Sequence, residues 1–306
     1  MMNDYGQLID FINNNLPGTK IYLNEDMKKH NTFKTGGLAD LMIKPHNIFE
    51  LQRVMKYIAE EKIPYLVLGH GSNVLVSDKG IREVVIKIED NLNNIKVAGE
   101  KIEADAGALL TDVSQTAMEH SLTGFEFACG IPGTMGGAVV MNAGAYGGEI
   151  KGVLEQVQVL TREGEIINRK AEELNLGYRT SIIQTNGDIV LKATLSLKKG
   201  VQESIKNLMD ELTMRREQNQ PLDFPSAGSI FKRPAGYYTG KLIQDADLRG
   251  YKIGGAQVSI KHAGFIINTG NATTGDILRL IKHIQNEVHR LFHVKLETEV
   301  RFIGEK

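Results

Sequence analysis

Two stretches of this sequence carry residue types suited to holding a cofactor. Residues 128–149 read ACGIPGTMGGAVVMNAGAYGGE, with seven glycines, at 130, 133, 136, 137, 144, 147 and 148, and no charge before Glu149. A flexible linker mixes glycine with serine or charge, whereas the spacers here are Ile, Pro, Met, Val and Ala. Missing Cβ atoms let a backbone approach a flat surface closely. That surface is either a bound cofactor faced by main-chain N–H groups, or a sheet under a tight turn and a closely packed helix. The second stretch is Gly69-His70-Gly71-Ser72-Asn73, between two apolar runs. A dinucleotide-binding fingerprint needs a helix after its glycines, and here a strand pattern follows. Successive N–H groups, with the Ser72 and Asn73 side chains, could form an anion nest for a pyrophosphate; the alternative is a simple β-turn.

The elements that must position these loops follow from periodicity. Tyr5, Leu8, Ile9 and Ile12 recur at helical spacing. Asn47 is placed to cap a helix running to about residue 61, with Glu50 at the capping-box position and Leu51, Val54 and Ile58 facing inward. Strands are predicted at 65–68 and 74–76, either side of the GHGSN loop, and at 84–88 and 101–106. A helix follows over 109–120. A Glu163-Gly164 turn joins strands at 154–160 and 165–169, and another strand spans 189–197. The character changes near residue 200, where a domain boundary is expected. Ile205, Leu208, Met209 and Leu212 mark a helix with a proline-punctuated exit at 218–225. Thr274 is placed to cap a helix lined by Ile277, Leu280, Ile281, Ile284, Val288 and Leu291. The chain is expected to close on a strand over 293–303, with Val294, Leu296, Val300 and Phe302 on one face.

At 306 residues, two or three domains are expected. A net charge of -1 gives no general electrostatic case for nucleic acid or an anionic membrane. No apolar run approaches the ~20 residues of a membrane span. The first residues, MMNDYGQLIDFINNN, lack the basic start of a signal peptide, so a cytoplasmic location is expected. The single cysteine, Cys129, excludes an intrachain disulfide and a cysteine-based metal cluster. It reads as a small buried filler rather than a redox thiol, and no metal site is expected.

In order along the chain, NTFKTGG (31–37), LGHGSNVLVSD (68–78), GFEFACGIPGTMGGAVVMNAGAYGGE (124–149), YRTS (178–181), SAGSIFKRP (226–234), GKLIQDADLRGYKIGGAQVSIKHAGFIIN (240–268) and LETEVRFIG (296–304) appear. With these seven segments in this order, the sequence resembles the UDP-N-acetylenolpyruvoylglucosamine reductases, the MurB family, over residues 31–304. The resemblance implies an α+β flavoprotein with the FAD-binding fold of vanillyl-alcohol-type oxidases. It implies FAD-binding subdomains over 1–80 (with 294–306 returning to it) and 81–200, and a substrate domain over 201–293. It also implies non-covalent FAD, NADPH as hydride source, and reduction of UDP-N-acetylglucosamine enolpyruvate to UDP-N-acetylmuramate for peptidoglycan. No obligate protein partner, nucleic acid or membrane insertion is implied.

By the same resemblance, FAD contacts fall on Thr35 and Gly36, on Gly69, His70, Gly71, Ser72 and Asn73, on Gly130, Ile131, Pro132, Gly133, Thr134, Gly136 and Gly137, and on Asn142, Ala143 and Gly144. Flavin N5 would deliver hydride to C3 of the enolpyruvyl group, building negative charge at C2 and the carboxylate. Arg179 of YRTS would hold that carboxylate bidentately, Glu299 would polarise or protonate the developing enol, and Ser229 would protonate C2. Tyr178, Arg215, Arg216 and Lys232 would bind substrate. Without the resemblance, Ser229 reads as a turn residue, Arg179 as a surface ion-pair partner and Glu299 as a charge on a solvated strand face.

Two departures stand out. RREQNQP (215–221) has Asn219 where many relatives carry lysine, which shifts a diphosphate contact onto Arg215, Arg216 and Lys232. The short segment between Ser181 and Ile189 leaves no room for the tyrosine-bearing insertion of one subclass, so the chain resembles the shorter subclass. The rival functions are an FAD-dependent oxidase or dehydrogenase of the same fold acting on an alcohol or hydroxy acid, and a non-catalytic flavin-binding regulator. No separate NADPH-binding fingerprint is visible, so NADPH and the UDP-sugar are expected to use one pocket in turn.

Overall fold

The structure, a computed structural model, describes residues 5–306. The chain forms two compact units: one of the residues up to Tyr22 with Leu41–His70 and Glu83–Arg216, the other of Leu23–Asp40, Gly71–Arg82 and Glu217–Lys306.

The first unit holds helices α1 (Gly6–Asn15), α2 (Ile48–Glu60), α3 (Leu110–Glu119), α4 (Met135–Met141), the single turn α5 (Ile183–Asn186) and most of α6 (Gln202–Asn219). Its main sheet is antiparallel, in the order Ile166–Lys170, Leu154–Leu160, Ile189–Ser196, Lys101–Asp105, Ile95–Ala98. Alternation along these strands buries Val157, Val159, Leu191, Ala193, Leu195, Ile102 and Ala104 in one core, each larger side chain contributing about 1.5–3 kcal/mol. The Glu163-Gly164 turn forms as expected, with Gly164 at φ +85°. In a second sheet, Val84–Lys87 pairs in parallel with Leu38–Lys44 and with Tyr65–Leu68.

Asn47 caps α2 by accepting from the Glu50 N–H at 2.9 Å. The reciprocal half of the expected capping box is absent. The Glu50 carboxylate turns instead to the Thr19 hydroxyl at 2.6 Å and the Gly18 and His46 N–H groups at 3.3 Å. Three donors from outside the helix outweigh one from the cap.

The second unit contains α7 (Thr239–Asp245) and α8 (Thr274–Phe292), a three-stranded sheet of Lys252–Ile253, Ala256–Val258 and Ile266–Asn268, and a parallel pair of Val74–Val76 with Arg301–Ile303. Its core gathers Phe33, Phe231, Ile243, Ile277, Leu280, Ile284 and Val288. The closing strand is shorter than expected: His293 takes a left-handed conformation to end α8, and regular pairing begins only at Arg301. Leu296 and Val300 are buried as the alternation requires, but Phe302 is exposed. No helix among the described residues is long and apolar enough to cross a membrane.

Thr273, not Thr274, caps α8, in a capping box with Asp276. Thr274 is thereby freed to join distant parts of the unit. Its hydroxyl donates to the Val76 carbonyl, and its N–H donates to Asp78 at 2.9 Å. Backbone N–H donation from Thr273 outweighs burial and, with the N–H of Gly255, holds the Asp276 carboxyl below its ordinary value. The unfolded chain therefore takes up this proton first. The stabilisation is complete above the ordinary carboxyl range near ~4 and is lost as pH falls through the depressed value. Asp276→Asn is expected to lower stability at neutral pH by about 1 kcal/mol and to flatten the acid limb of stability against pH, measured by denaturant unfolding.

Candidate functional site

In the first unit the structure brings the two glycine motifs together. A Cβ built on Gly69 would lie 2.5 Å from Thr134 Oγ1, so only glycine lets the 69–70 turn meet the 130–134 loop. Lys87, 2% exposed, fixes that turn by donating to the Gly69 carbonyl at 2.6 Å. Burial pulls the Lys87 ammonium down, opposed by Glu89 at 3.4 Å. Glu89 also faces His70 Nδ1 at 3.4 Å. Although burial alone would push the Glu89 carboxyl up, the neighbouring His70 and Lys87 side chains pull it below its usual range.

Both explanations for the glycine-rich stretch have a share in it. Gly136 packs on the sheet: its Cβ would stand 3.0 Å from Ala106 Cβ, and its N–H donates to the Ala106 carbonyl at 2.8 Å. The first turn of α4 satisfies itself, with Thr134 Oγ1 accepting from Gly137 and the Ala108 carbonyl accepting from Met135. Asn142, assigned to the cofactor by resemblance, is 1% exposed. Its amide donates to Glu149 and Gly177, and its oxygen accepts from Lys151, so it anchors the loop rather than facing outward. The Ala143 carbonyl accepts from the Ile150 N–H.

By contrast, the N–H groups of Gly130, Gly133 and Thr134 donate to no acceptor among the described residues. Thr134 is only 2% exposed. A buried backbone donor left unpaired is rare and costly. Together with Ile131 and Pro132 in the same loop, and with Gly137, where a Cβ would meet open space apart from Thr134 Oγ1 at 3.6 Å, these donors form a cradle. Its chemistry fits a flat, polyoxygenated cofactor such as FAD. In the 144–148 segment, glycine at 144 and 148 has a packing cause, since Cβ atoms there would lie 2.5 Å from the Gly148 carbonyl and 2.4 Å from the Phe127 ring.

Arg179 stands on a single left-handed residue, φ +56°, a conformation uncommon outside glycine and concentrated at functional sites. Its Nη2 donates to the Gly144 carbonyl at 3.0 Å, and its guanidinium lies 5.5 Å from the centre of the exposed Tyr178 ring. Arg216, half-buried on α6, crosses Gly130 closely, with Cδ 2.8 Å from where a Cβ would be. Burial lowers its pKa, opposed by Tyr146 and Cys129. No carboxylate among the described residues pairs with it. A charge held in this way invites an anionic ligand. Arg215 points elsewhere, exposed and paired with Glu211.

In the second unit, Ser229 and Glu299 lie on neighbouring extended segments. The Glu299 N–H donates to the Ile230 carbonyl at 2.8 Å, and Lys232 N–H to the Glu297 carbonyl at 2.9 Å. The Asn73 amide donates to the Glu299 carbonyl at 3.3 Å. The N–H groups of Gly71, Ser72 and Asn73 find no acceptor among the described residues, as an anion nest requires. Gly71 itself must be glycine, at φ +76° with a Cβ 2.1 Å from the His30 carbonyl. Thr35 and Gly36 are buried: the Thr35 hydroxyl lies 3.2 Å from the Thr274 hydroxyl, and Gly36 abuts Val76. Lys232 Nζ pairs with Glu297 at 3.4 Å.

One residue near the site gives no signal in the sequence. His262, in the KHAGF segment, lies against the same small glycine as Ser229. A Cβ on Gly264 would stand 3.0 Å from His262 Cε1 and 3.4 Å from Ser229 Oγ. His262 Nδ1 accepts from the Gly264 N–H at 3.1 Å, leaving Nε2 as the protonated nitrogen of the neutral ring. Burial pushes its pKa down. A lone histidine in a motif does not announce its proximity to a serine 33 positions earlier.

Comparison with known proteins agrees with this layout. The model of the FAD binding domain matches residues 39–169, and that of the UDP-N-acetylenolpyruvoylglucosamine reductase C-terminal domain matches 220–303. The chain is 54% identical over 299 residues to the UDP-N-acetylenolpyruvoylglucosamine reductase of Caldanaerobacter subterraneus subsp. tengcongensis, covering 98% of this chain and 99% of that one. It is 52% identical to the protein of the same name from Alkaliphilus metalliredigens, covering 93% and 94%. Among solved structures it is similar to that of UDP-N-acetylenolpyruvylglucosamine reductase from Thermus caldophilus, at TM-score 0.81 and 36% identity, over 93% of this chain and 98% of that one.

Proposed function

The chain belongs to the UDP-N-acetylenolpyruvoylglucosamine reductase family, and on that premise we propose that it reduces UDP-N-acetylglucosamine enolpyruvate to UDP-N-acetylmuramate with NADPH and FAD. The step supplies a peptidoglycan precursor. What carries this function is agreement with named relatives along the whole length of both chains. FAD, when bound, would supply the redox chemistry that links NADPH to C3 of the enolpyruvyl group.

The protein's own groups handle charge and protons. The unpaired N–H groups at 130, 133 and 134 are suited to holding the cofactor, and those at 71–73 to holding a phosphate anion. Arg179 binds the substrate carboxylate and opposes the charge that builds on it; one such well-placed donor is worth about 3 kcal/mol. Ser229 passes its proton to C2, and Glu299 stabilises the enol on the way. A neutral hydroxyl is a weak acid, so it protonates only a strongly basic carbon. Tyr178, Arg216 and Lys232 take the rest of the substrate, with Arg215 at the periphery. The domain assignment implied by the resemblance is two cofactor subdomains, 1–80 and 81–200, and a substrate domain, 201–293, whereas the compact units divide 1–80 between them and place 201–216 with the first. The pairing of Arg301–Ile303 with Val74–Val76 supports return of the terminal segment to the first subdomain. The chain falls in the subclass without the tyrosine-bearing insertion, and it works in the cytoplasm beside its nucleotide substrates.

With one pocket for both substrates, NADP+ leaves before the UDP-sugar enters. Initial rates at varied concentrations of both are therefore expected to give parallel double-reciprocal lines. Intersecting lines without substrate inhibition would count against a shared pocket.

A further inference from the structure

We propose that Gln184 is a positioning residue for Arg179: its side-chain amide clamps the Arg179 carbonyl to the last turn of α4, and so fixes the guanidinium relative to the cofactor cradle at the other end of that helix. The inference rests on the proposed function, in which Arg179 holds the substrate carboxylate.

Arg179 sits in a four-residue turn closed by reciprocal backbone bonds between Gly177 and Thr180, at 3.1 and 3.3 Å. A third turn position with positive φ favours glycine or asparagine, yet arginine stands there at φ +56°. Such a conformation persists only where its surroundings over-determine it. Side chains supply that constraint at three points. Asn142 donates to the Gly177 carbonyl at 2.9 Å, Gln184 Nε2 to the Arg179 carbonyl at 3.2 Å, and Ser181 Oγ to the Val140 carbonyl at 2.7 Å.

Gln184 joins two of these points. Its Nε2 also donates at 2.8 Å to the Val140 carbonyl, one of the carbonyls at the end of α4 that lack a partner within the helix. An amide nitrogen carries two hydrogens, one for each carbonyl, and only that end of the side chain can face two acceptors. Ser181 alone would satisfy the Val140 carbonyl, so the distinct contribution of Gln184 is its bond to Arg179. The amide comes from a fixed element. Ile183 of α5 is 6% exposed in the core, and the Ile182 N–H donates to the Leu174 carbonyl at 2.8 Å. The guanidinium is held separately, by donation to the Gly144 carbonyl at the base of the hairpin that pairs Gly144–Ala145 with Gly148–Glu149. Backbone and side chain of Arg179 are both tied to the segment that forms the cradle, and Gln184 supplies the backbone half.

The test measures binding of two sugar nucleotides to the FAD-loaded protein by calorimetry: UDP-N-acetylmuramate, which carries a carboxylate, and UDP-N-acetylglucosamine, which does not. Gln184→Met keeps the length of the side chain and removes both donors. Affinity for UDP-N-acetylmuramate is expected to fall about tenfold, the upper end for one hydrogen bond. Affinity for UDP-N-acetylglucosamine, FAD content and the rate of flavin reduction by NADPH should stay at wild-type values. Gln184→Glu, which at neutral pH faces both carbonyls with acceptors alone, should lose at least as much. In an Arg179→Ala background, Gln184→Met should change UDP-N-acetylmuramate affinity by less than about twofold, because its effect passes through the missing guanidinium. A glutamine kept only for the fold would lower Tm and weaken both sugar nucleotides equally in both backgrounds. That result, or unchanged UDP-N-acetylmuramate affinity in Gln184→Met, would overturn the proposal. Wild-type protein that prefers UDP-N-acetylmuramate but does not turn over would defeat the assigned reaction alone; wild-type protein with no preference for the carboxylate would defeat both.

Discussion

In Ser229→Ala, turnover is expected to fall by about a thousandfold, within the range contributed by a positioned proton donor. Reduction of the bound cofactor by NADPH should keep its wild-type rate, since no proton reaches C2 in that half of the reaction. The fold should be unaffected. Ser229 is half-buried, and among the described residues its hydroxyl makes only a long bond of 3.4 Å to the Phe231 carbonyl. The backbone pairing of 229–231 with 264–265 and 297–299 involves no side chain at 229. Rapid-mixing measurement of each half-reaction separates this outcome from a folding defect, which would slow both. His262 packs against the same Gly264, so the local environment of the hydroxyl includes an imidazole that burial keeps neutral.

The second large effect is expected at Arg179. Arg179→Lys should lower the rate with the enolpyruvyl substrate by about a hundredfold, the scale for removing one electrostatic donor, and should spare the NADPH half. Arginine can donate to the Gly144 carbonyl through one nitrogen and present the remaining N–H groups to a carboxylate. An ammonium on a flexible stem is a point charge and cannot hold both in a fixed plane. Equal loss in both half-reactions would mean that Arg179 supports the hairpin rather than the substrate.

Much of this was legible in the residues. The strand–GHGSN–strand unit, the α2 cap and the Glu163-Gly164 hairpin followed from local rules, because turn chemistry at Asn47 and Gly164 is decided by neighbours in sequence. The glycine-rich stretch admitted two explanations because both demand missing Cβ atoms. Only tertiary contacts separate Gly136, which packs on Ala106, from Gly137, which faces open space. The α8 cap was misplaced by one residue because Thr273 and Thr274 are both threonines, and only Asp78 and Val76, far away in sequence, draw Thr274 inward. The closing strand was overextended because alternation continues through 294–300 while the backbone there bonds to 230–232 and Asn73. Ser229 and Glu299 were reached through family resemblance, since nothing in their local sequence separates a proton donor from a turn serine. His262 was missed for a related reason: its proximity to Ser229 depends on a chain reversal at 262–265.

The most direct test of the central claim is optical and anaerobic. The purified protein is expected to show an oxidised flavin spectrum that NADPH bleaches and UDP-N-acetylglucosamine enolpyruvate restores, with UDP-N-acetylmuramate formed. A flavin that NADPH bleaches but that substrate leaves reduced would contradict the assigned reaction, and protein that binds no flavin would contradict the cofactor site as well.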